Sequence, residues 1–273
     1  MGEQPQHPPS PGVAEPARPP GAKWEASPSW LGRAARALYA GYVWAVLVLI
    51  AIPVWPLVSF LLDQRRSWSL TRRAGSLLAR LSGVSISIAG TFVEGEDPYV
   101  VVANHASFID GMVLILLLRG PVSIVAGGEL AKQRLAGPFL RGLGCEFVGS
   151  GRARSGSSEA ERLSRALRQG CSVAIFPEAS LGRGAGLRRF HLGAFAMAVG
   201  TGTSVLPVGI SGTRDIVRPG RHAPEPGRVV HARIGTPVSP TAEGLAGAIA
   251  LRDKVREVIL ELSGEQDLLA GSS

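Results

Sequence analysis

The pattern of apolar and polar positions changes character several times along the chain. Residues 1–30 carry almost no aliphatic side chains and are dominated by Pro, Gly, Ser and Glu. Such a segment cannot bury enough apolar surface to offset chain entropy, so a disordered tail is expected. It does not read as a signal peptide, because no apolar run follows a basic start. From Ala37 to Leu62 charge then disappears for 26 consecutive residues, ALYAGYVWAVLVLIAIPVWPLVSFLL. A helix of about 20 apolar residues crosses the hydrocarbon core of a bilayer, so this run is long enough to enter one. Pro53 and Pro56 each remove a backbone donor and clash with the preceding turn. The run is therefore expected either as a kinked span or as a hairpin that dips in and returns.

Directly after it, Arg65, Arg66, Arg72, Arg73 and Arg80 alternate with Trp68, Leu70, Leu77, Leu78 and Leu81. That interleaving predicts a basic amphipathic helix on an anionic membrane surface, with residues 31–82 acting together as an anchor. The flank before the run carries only Arg33, Arg36 and the more distant Lys23. The more basic later flank favours the cytoplasm for everything downstream at the cell membrane, and a hairpin would leave both flanks on that side.

From residue 83 the period shortens. β-branched runs at Val84–Ile88, Tyr99–Ala103, Val122–Ala126, Cys171–Phe176, Ser204–Ile210 and Val229–Ile234 predict strands. Helical stretches separate them at Gly111–Leu118, Glu129–Leu143, Ser157–Gln169, Phe190–Val199 and Ala242–Leu262. Alternation of this kind predicts an α/β domain over 83–263, a largely parallel sheet flanked by helices, with a flexible C-terminus at 264–273.

Composition refines this picture in two places. A formal net charge of +8 points to an anionic partner. The arginines cluster beside the apolar run and no nucleic-acid-binding module is recognisable, so membrane lipid is the expected partner and nucleic acid is not. The only two cysteines, Cys145 and Cys171, lack metal-ligand spacing and are expected as small, mostly buried apolar side chains in a reducing compartment.

The chemistry concentrates in YVVVANHASFIDG, residues 99–111. An apolar strand runs into Asn104 and His105, and a helix begins near Asp110. In open α/β sheets, ligands sit at the carboxyl ends of strands, where His105 falls. Its imidazole has the unperturbed pKa that suits proton transfer at neutral pH. A carboxylate five residues later, across one tight turn, can accept the other ring N–H and fix the tautomer. Glu178, after Pro177, again lies just beyond a strand, within reach of His105 and of an acceptor's hydroxyl groups. Behind it, Arg183, Arg188 and Arg189 sit in a glycine-rich loop able to meet a phosphate. His7, His191, His222 and His231 carry no comparable setting and read as exposed or structural.

NHASFID resembles the His-x4-Asp block of the glycerolipid (lysophospholipid) acyltransferase family. GCEFVGS (144–150), FPEAS (176–180) and SVLPVGI (204–210) resemble its second, third and fourth blocks, in order. FHLGAFAMAV (190–199) and GTRDIV (212–217) are similar to bacterial members. The resemblance implies that His105 is the general base and Asp110 its orienting carboxylate. It implies acyl transfer from acyl-CoA or acyl carrier protein to the free hydroxyl of a lysophospholipid, foremost 1-acylglycerol-3-phosphate, with no metal or prosthetic group. Glu178 and Ser180 are carried over as acceptor contacts. The second block usually ends in a phosphate-binding arginine, where this chain has Ser150; Arg152 and Arg154 follow and are the candidates to replace it. The third block usually reads Glu-Gly-Thr or Glu-Gly-Ser, often followed by Arg, whereas here it is Glu178, Ala179, Ser180 and Leu181. These departures leave the acceptor open. They also keep in view a lipid-binding homologue without the chemistry. A hydrolase would call for a G-x-S-x-G nucleophile elbow, and none is present.

Overall fold

The computed structural model describes residues 30–90, 97–118, 120–149, 156–179, 184–216 and 227–270, with the side chains of 30, 31 and 156–158 excepted. The expected tail lies outside these residues, as do Arg152, Arg154, Ser180, Arg183 and Ser150. The chain divides into two compact units after Leu38. The described part of the first is the opening of a helix; all that follows concerns the second, from Tyr39.

Helix α1 (Trp30–Pro56) passes through Pro53 and gives way after Pro56 to a π-helical turn, Leu57–Leu61, closed by Leu62 N–H donating to the Leu57 carbonyl. Each proline frees a carbonyl four residues back, and the wider turn re-forms the ladder beyond them. Asp63 then caps α2 (Gln64–Leu81), its carboxylate accepting the Arg66 amide at 3.0 Å. Helix α2 returns along α1: the Tyr39 and Tyr42 hydroxyls donate to the Ser82 and Leu81 carbonyls. The hairpin is thus formed by α1 and α2 together, and not within the apolar run itself. The stretch Gly32–Leu61 is long and apolar enough to cross a membrane, and only 11% of its most apolar window is buried in the protein. Leu49, Ile52, Phe60 and Leu61 stand open.

The end of that stretch is fastened to the domain. Val58 is buried, and Trp55 Nε1 donates to the Leu135 carbonyl at 2.8 Å. Gly142 lies so close to the Val58 carbonyl that a Cβ would sit 1.9 Å from its oxygen, a backbone approach that only glycine permits. On α2, the stripe Ser67, Trp68, Thr71 and Gly75 turns inward, with Trp68 Nε1 on the Leu118 carbonyl. The expectation that Trp68 helps line a membrane-facing surface is corrected here: it is part of the core, while Leu77 and Leu81 remain exposed.

The sheet comprises β1 (Ser85–Ala89), β2 (Val100–Ala103), β3 (Ser123–Gly127), β4 (Glu146–Val148), β5 (Val173–Ile175), β6 (Val205–Ser211) and β7 (Val229–Ile234). Their spatial order is β1-β7-β6-β2-β5-β3-β4. Every pairing is parallel except β6 with β7, so β1 and β7 run against the other five. Helices α3 (Asp110–Leu117), α4 (Gly128–Ala131), α5 (Ala136–Gly142), α6 (Gly156–Arg168), α7 (Gly193–Thr201), α8 (Thr213–Ile216) and α9 (Gly244–Ser263) complete the domain. Strand β2 shows how the layers form. Val101 and Ala103 face a core with Trp68, Leu114 and Leu143, while Val100 and Val102 face Leu167, Phe195 and Val255. Period-two alternation therefore buries both faces of a central strand, as a sheet covered by helices requires.

Several expected boundaries shift for local reasons. The helix expected over 129–143 is two short ones, because Pro138 has no N–H to offer Arg134 and the chain restarts at Ala136. The helix expected from Phe190 begins at Gly193, since the His191 amide is taken by the Pro177 carbonyl. Within the expected flexible end, residues 265–268 make hydrogen bonds to 186–187 and to Arg256. Cys145 is buried as expected but Cys171, just ahead of β5, is exposed. Burial pushes the Cys145 thiol up to about 12, so it stays protonated and unreactive at neutral pH. Native protein is therefore expected to take up a thiol reagent at Cys171 alone, with Cys145 reacting only after denaturation. Equal native labelling of both, mapped by peptide mass spectrometry, would contradict this packing.

Candidate active site

The site is built at the carboxyl end of β2. Asn104, the first residue past the strand, is buried and forms an amide clamp. Its Nδ2 donates to the Ile210 carbonyl at 2.8 Å, and its Oδ1 accepts the Ile210 amide at 2.7 Å. A buried side-chain amide satisfied on both sides fixes the strand end against β6, and so fixes where His105 starts.

The turn from His105 to α3 wraps around one carboxylate. Asp110 is fully buried, and its Oδ2 accepts three donors: the Ala106 amide at 2.6 Å, the Ser107 amide at 2.7 Å, and His105 Nδ1 at 3.0 Å. An ionised carboxylate only accepts, so Nδ1 carries the proton and Nε2 keeps its lone pair. The ring packs against Phe176, with centroids 4.2 Å apart and planes 20° from parallel. One edge of His105 remains open, at 20% side-chain exposure. The result is an imidazole held on one face and at one nitrogen, with no partner for the other nitrogen among the described residues.

Glu178 lies beyond β5 and is buried like Asp110. Its Oε1 accepts the His105 amide at 2.8 Å, and its Oε2 accepts the amide and Nε of Arg188, each at 3.2 Å. Proximity to His105 was legible in the sequence, but the contact is to backbone. These bonds hold Glu178 between the His105 main chain and Arg188, with Oε1 accepting one donor and Oε2 two. The structure thus unites His105, Asp110, Glu178 and Arg188. Arg152, Ser180 and Arg183 fall outside the described residues. Asn104 and Phe176 carry structural duties that spacing alone did not reveal. A polar side chain ending an all-apolar strand was the available signal for the first.

Ala179 adopts a left-handed backbone, φ 59°, and among the described residues is the only non-glycine with positive φ. The left-handed region costs an L-residue roughly 1–2 kcal/mol, which accounts for the glycine usual at this place in the resembling block. Among the described residues, no three His, Cys, Asp or Glu side chains are grouped closely enough to hold a metal.

A histidine oriented by a buried carboxylate at the mouth of a mostly parallel sheet is an arrangement able to move a proton. Residues 85–211 match the Acyltransferase family. The 1-acyl-sn-glycerol-3-phosphate acyltransferase alpha of Mus musculus is 30% identical over 241 residues, covering 84% of this chain and 80% of that protein. The chain belongs to the acyltransferase family. It is also similar to a lyso-ornithine lipid O-acyltransferase of Pseudomonas aeruginosa, 36% identical over 137 residues, or 48% of this chain and 51% of that protein. The chain spans 51–61% of the length of the bacterial relatives it matches. The crystal structure of the 1-acyl-sn-glycerophosphate (LPA) acyltransferase PlsC from Thermotoga maritima shares the fold. Its TM-score is 0.65 at 24% identity, over 84% of this chain and 95% of that one.

Replacing Ala179 by Gly relieves the left-handed strain but adds unfolded-chain entropy. We expect a net gain of about 0.5–1 kcal/mol from these opposing terms, read as a higher denaturant midpoint with unchanged slope. A loss of stability would contradict the assigned backbone.

Proposed function

We propose that the protein transfers a fatty acyl group from acyl-CoA or acyl carrier protein to the free hydroxyl of a lysophospholipid, foremost 1-acylglycerol-3-phosphate, giving phosphatidic acid. The observation that carries this reading is the Asp110–His105 pair, which engages Nδ1 and leaves Nε2 without a partner among the described residues. His105 Nε2 takes the acceptor hydroxyl's proton as its oxygen attacks the thioester carbonyl. The tetrahedral intermediate collapses with cleavage of the carbon–sulfur bond, and the departing thiolate receives the proton from the imidazolium. Asp110 stabilises that imidazolium and holds the ring. The thioester supplies the driving force, so the reaction as written consumes no metal or redox cofactor.

The intermediate's oxyanion needs donors aimed at it. The amides of Ala106 and Ser107, the obvious candidates near the helix start, are already spent on Asp110. They orient the base instead of stabilising the intermediate.

The exposed apolar face of α1 and the arginines of α2 support attachment to the cell membrane with the site on its cytoplasmic side. Each basic residue near an anionic surface adds about 1 kcal/mol. A lysolipid that never leaves the bilayer would then meet Nε2 at the interface.

A second acceptor class is favoured by one observation. The relative at 36% identity is a lyso-ornithine lipid O-acyltransferase, and this chain carries Ser150 and Leu181 where the resembling blocks place arginines. A lysolipid with an amino-acid head group therefore belongs in the assay.

The test is incubation of membranes holding the protein with radiolabelled acyl-CoA and a panel of lysolipids. His105→Ala is expected to lower transfer by about 10²- to 10⁴-fold while leaving membrane association unchanged. A variant as active as the parent would end the assignment of His105 as base.

A further inference from the structure

The site's second carboxylate is held from a part of the chain far from the motifs. Glu178 depends on Arg188 for two of its three hydrogen bonds. Arg188 lies in a loop whose described residues form no regular element beyond an isolated parallel bridge between Leu187 and Asp267. Several polar bonds along 186–188 run to α9 or to the segment that follows it. Arg256 of α9 donates from Nε to the Arg188 carbonyl at 3.2 Å and from Nη2 to the Leu187 carbonyl at 3.1 Å. The Leu187 amide donates to the Gln266 carbonyl, the Leu268 amide returns to the Leu187 carbonyl, and the Gly186 amide donates to the Glu265 carboxylate. Arg256 is itself gripped by both oxygens of Asp267, while Arg214 pairs with Glu265.

We propose that Arg256 and Asp267 are positioning residues, and that residues 265–269 form a strap setting the alignment of Glu178 against the His105 amide. This rests on the reading of His105 as the base. The path is continuous: Asp267 orients the guanidinium of Arg256, which fixes the Leu187 and Arg188 carbonyls. Arg188 then delivers its amide and Nε to Glu178, and Glu178 accepts the His105 N–H. Planar Arg256 serves two carbonyls and a bidentate carboxylate at once, a geometry that a lysine ammonium cannot reproduce. The loop does not depend on the strap to stay folded, since Leu187 and Phe190 are buried in the core. Losing the strap therefore loosens register rather than unfolding the domain. The His105 ring keeps its Asp110 partner, because that contact is made within its own turn.

The experiment compares Asp267→Ala, Asp267→Glu and Arg256→Lys in the full chain. It reads hydrogen exchange, kcat and KM, and the melting temperature. Asp267→Ala and Arg256→Lys are expected to speed amide exchange at His105 and across 186–191. They should lower kcat about tenfold, in line with the cost of a small misplacement of a reacting group, with KM and the pH–rate profile unchanged. Asp267→Glu, which keeps a carboxylate for Arg256, is expected to recover most of the activity. A merely structural role predicts parallel losses of melting temperature and folded protein, with the surviving fraction turning over normally; that outcome overturns the proposal. So does an unchanged exchange rate at His105. Exchange is read without substrate. Faster exchange in a protein whose parent transfers no acyl group would sink the acyltransferase reading while leaving the strap in place.

Discussion

A single buried oxygen organises the site. Asp110 Oδ2 gathers two consecutive backbone amides and a histidine nitrogen, and the turn from β2 to α3 takes its shape around that convergence. Burying a carboxylate costs several kcal/mol unless donors replace water. Hydrogen bonds to a charged group return about 1.5–3 kcal/mol each, so the three donors on Oδ2 offset much of that cost. The same three bonds dictate which nitrogen of His105 holds its proton. Folding of the turn and selection of the tautomer are one event.

Glu178 repeats this logic one strand away. It too is buried, and it too takes two backbone amides, those of His105 and Arg188. The two carboxylates hold His105 from opposite ends, one at the ring and one at the main chain, while Asn104, the residue before it, is pinned to β6. What remains mobile at His105 is little more than proton position. That suits a general base, which must meet its substrate without reorganising. Beside the site, the α1–α2 hairpin presents an apolar surface fastened to the domain at Val58 and Trp55.

Much of this was legible in the sequence, and the remainder had physical reasons not to be. Strands and helices with strong periodicity fell within a few residues of their places, and NHASFID announced the His105–Asp110 pair. Hidden were facts that need three dimensions. Trp68 has the spacing of an interfacial residue, yet α2 also has an inward stripe, and only packing against α3 decides between them. Glu178 reads as a free acid until Arg188 is brought to it from the following loop. Arg256 and Asp267 lie on a helix and a tail with no motif, and their connection to the site runs through backbone carbonyls that no side-chain pattern records. The three-residue strand β4, Glu146–Val148, opens on a charged residue and sits in no longer β-branched run, unlike the equally short β5.

The central claim is that Asp110 fixes the tautomer of His105, leaving Nε2 as the base. Nitrogen-15 NMR of histidine-labelled protein tests it most directly, with the His105 signals assigned by difference from His105→Ala. Above its titration, the ring should show a protonated, pyrrole-type Nδ1 and an unprotonated, pyridine-type Nε2, and this preference should vanish in Asp110→Asn. A His105 ring protonated at Nε2, or one averaging freely between tautomers in the parent protein, would contradict the account.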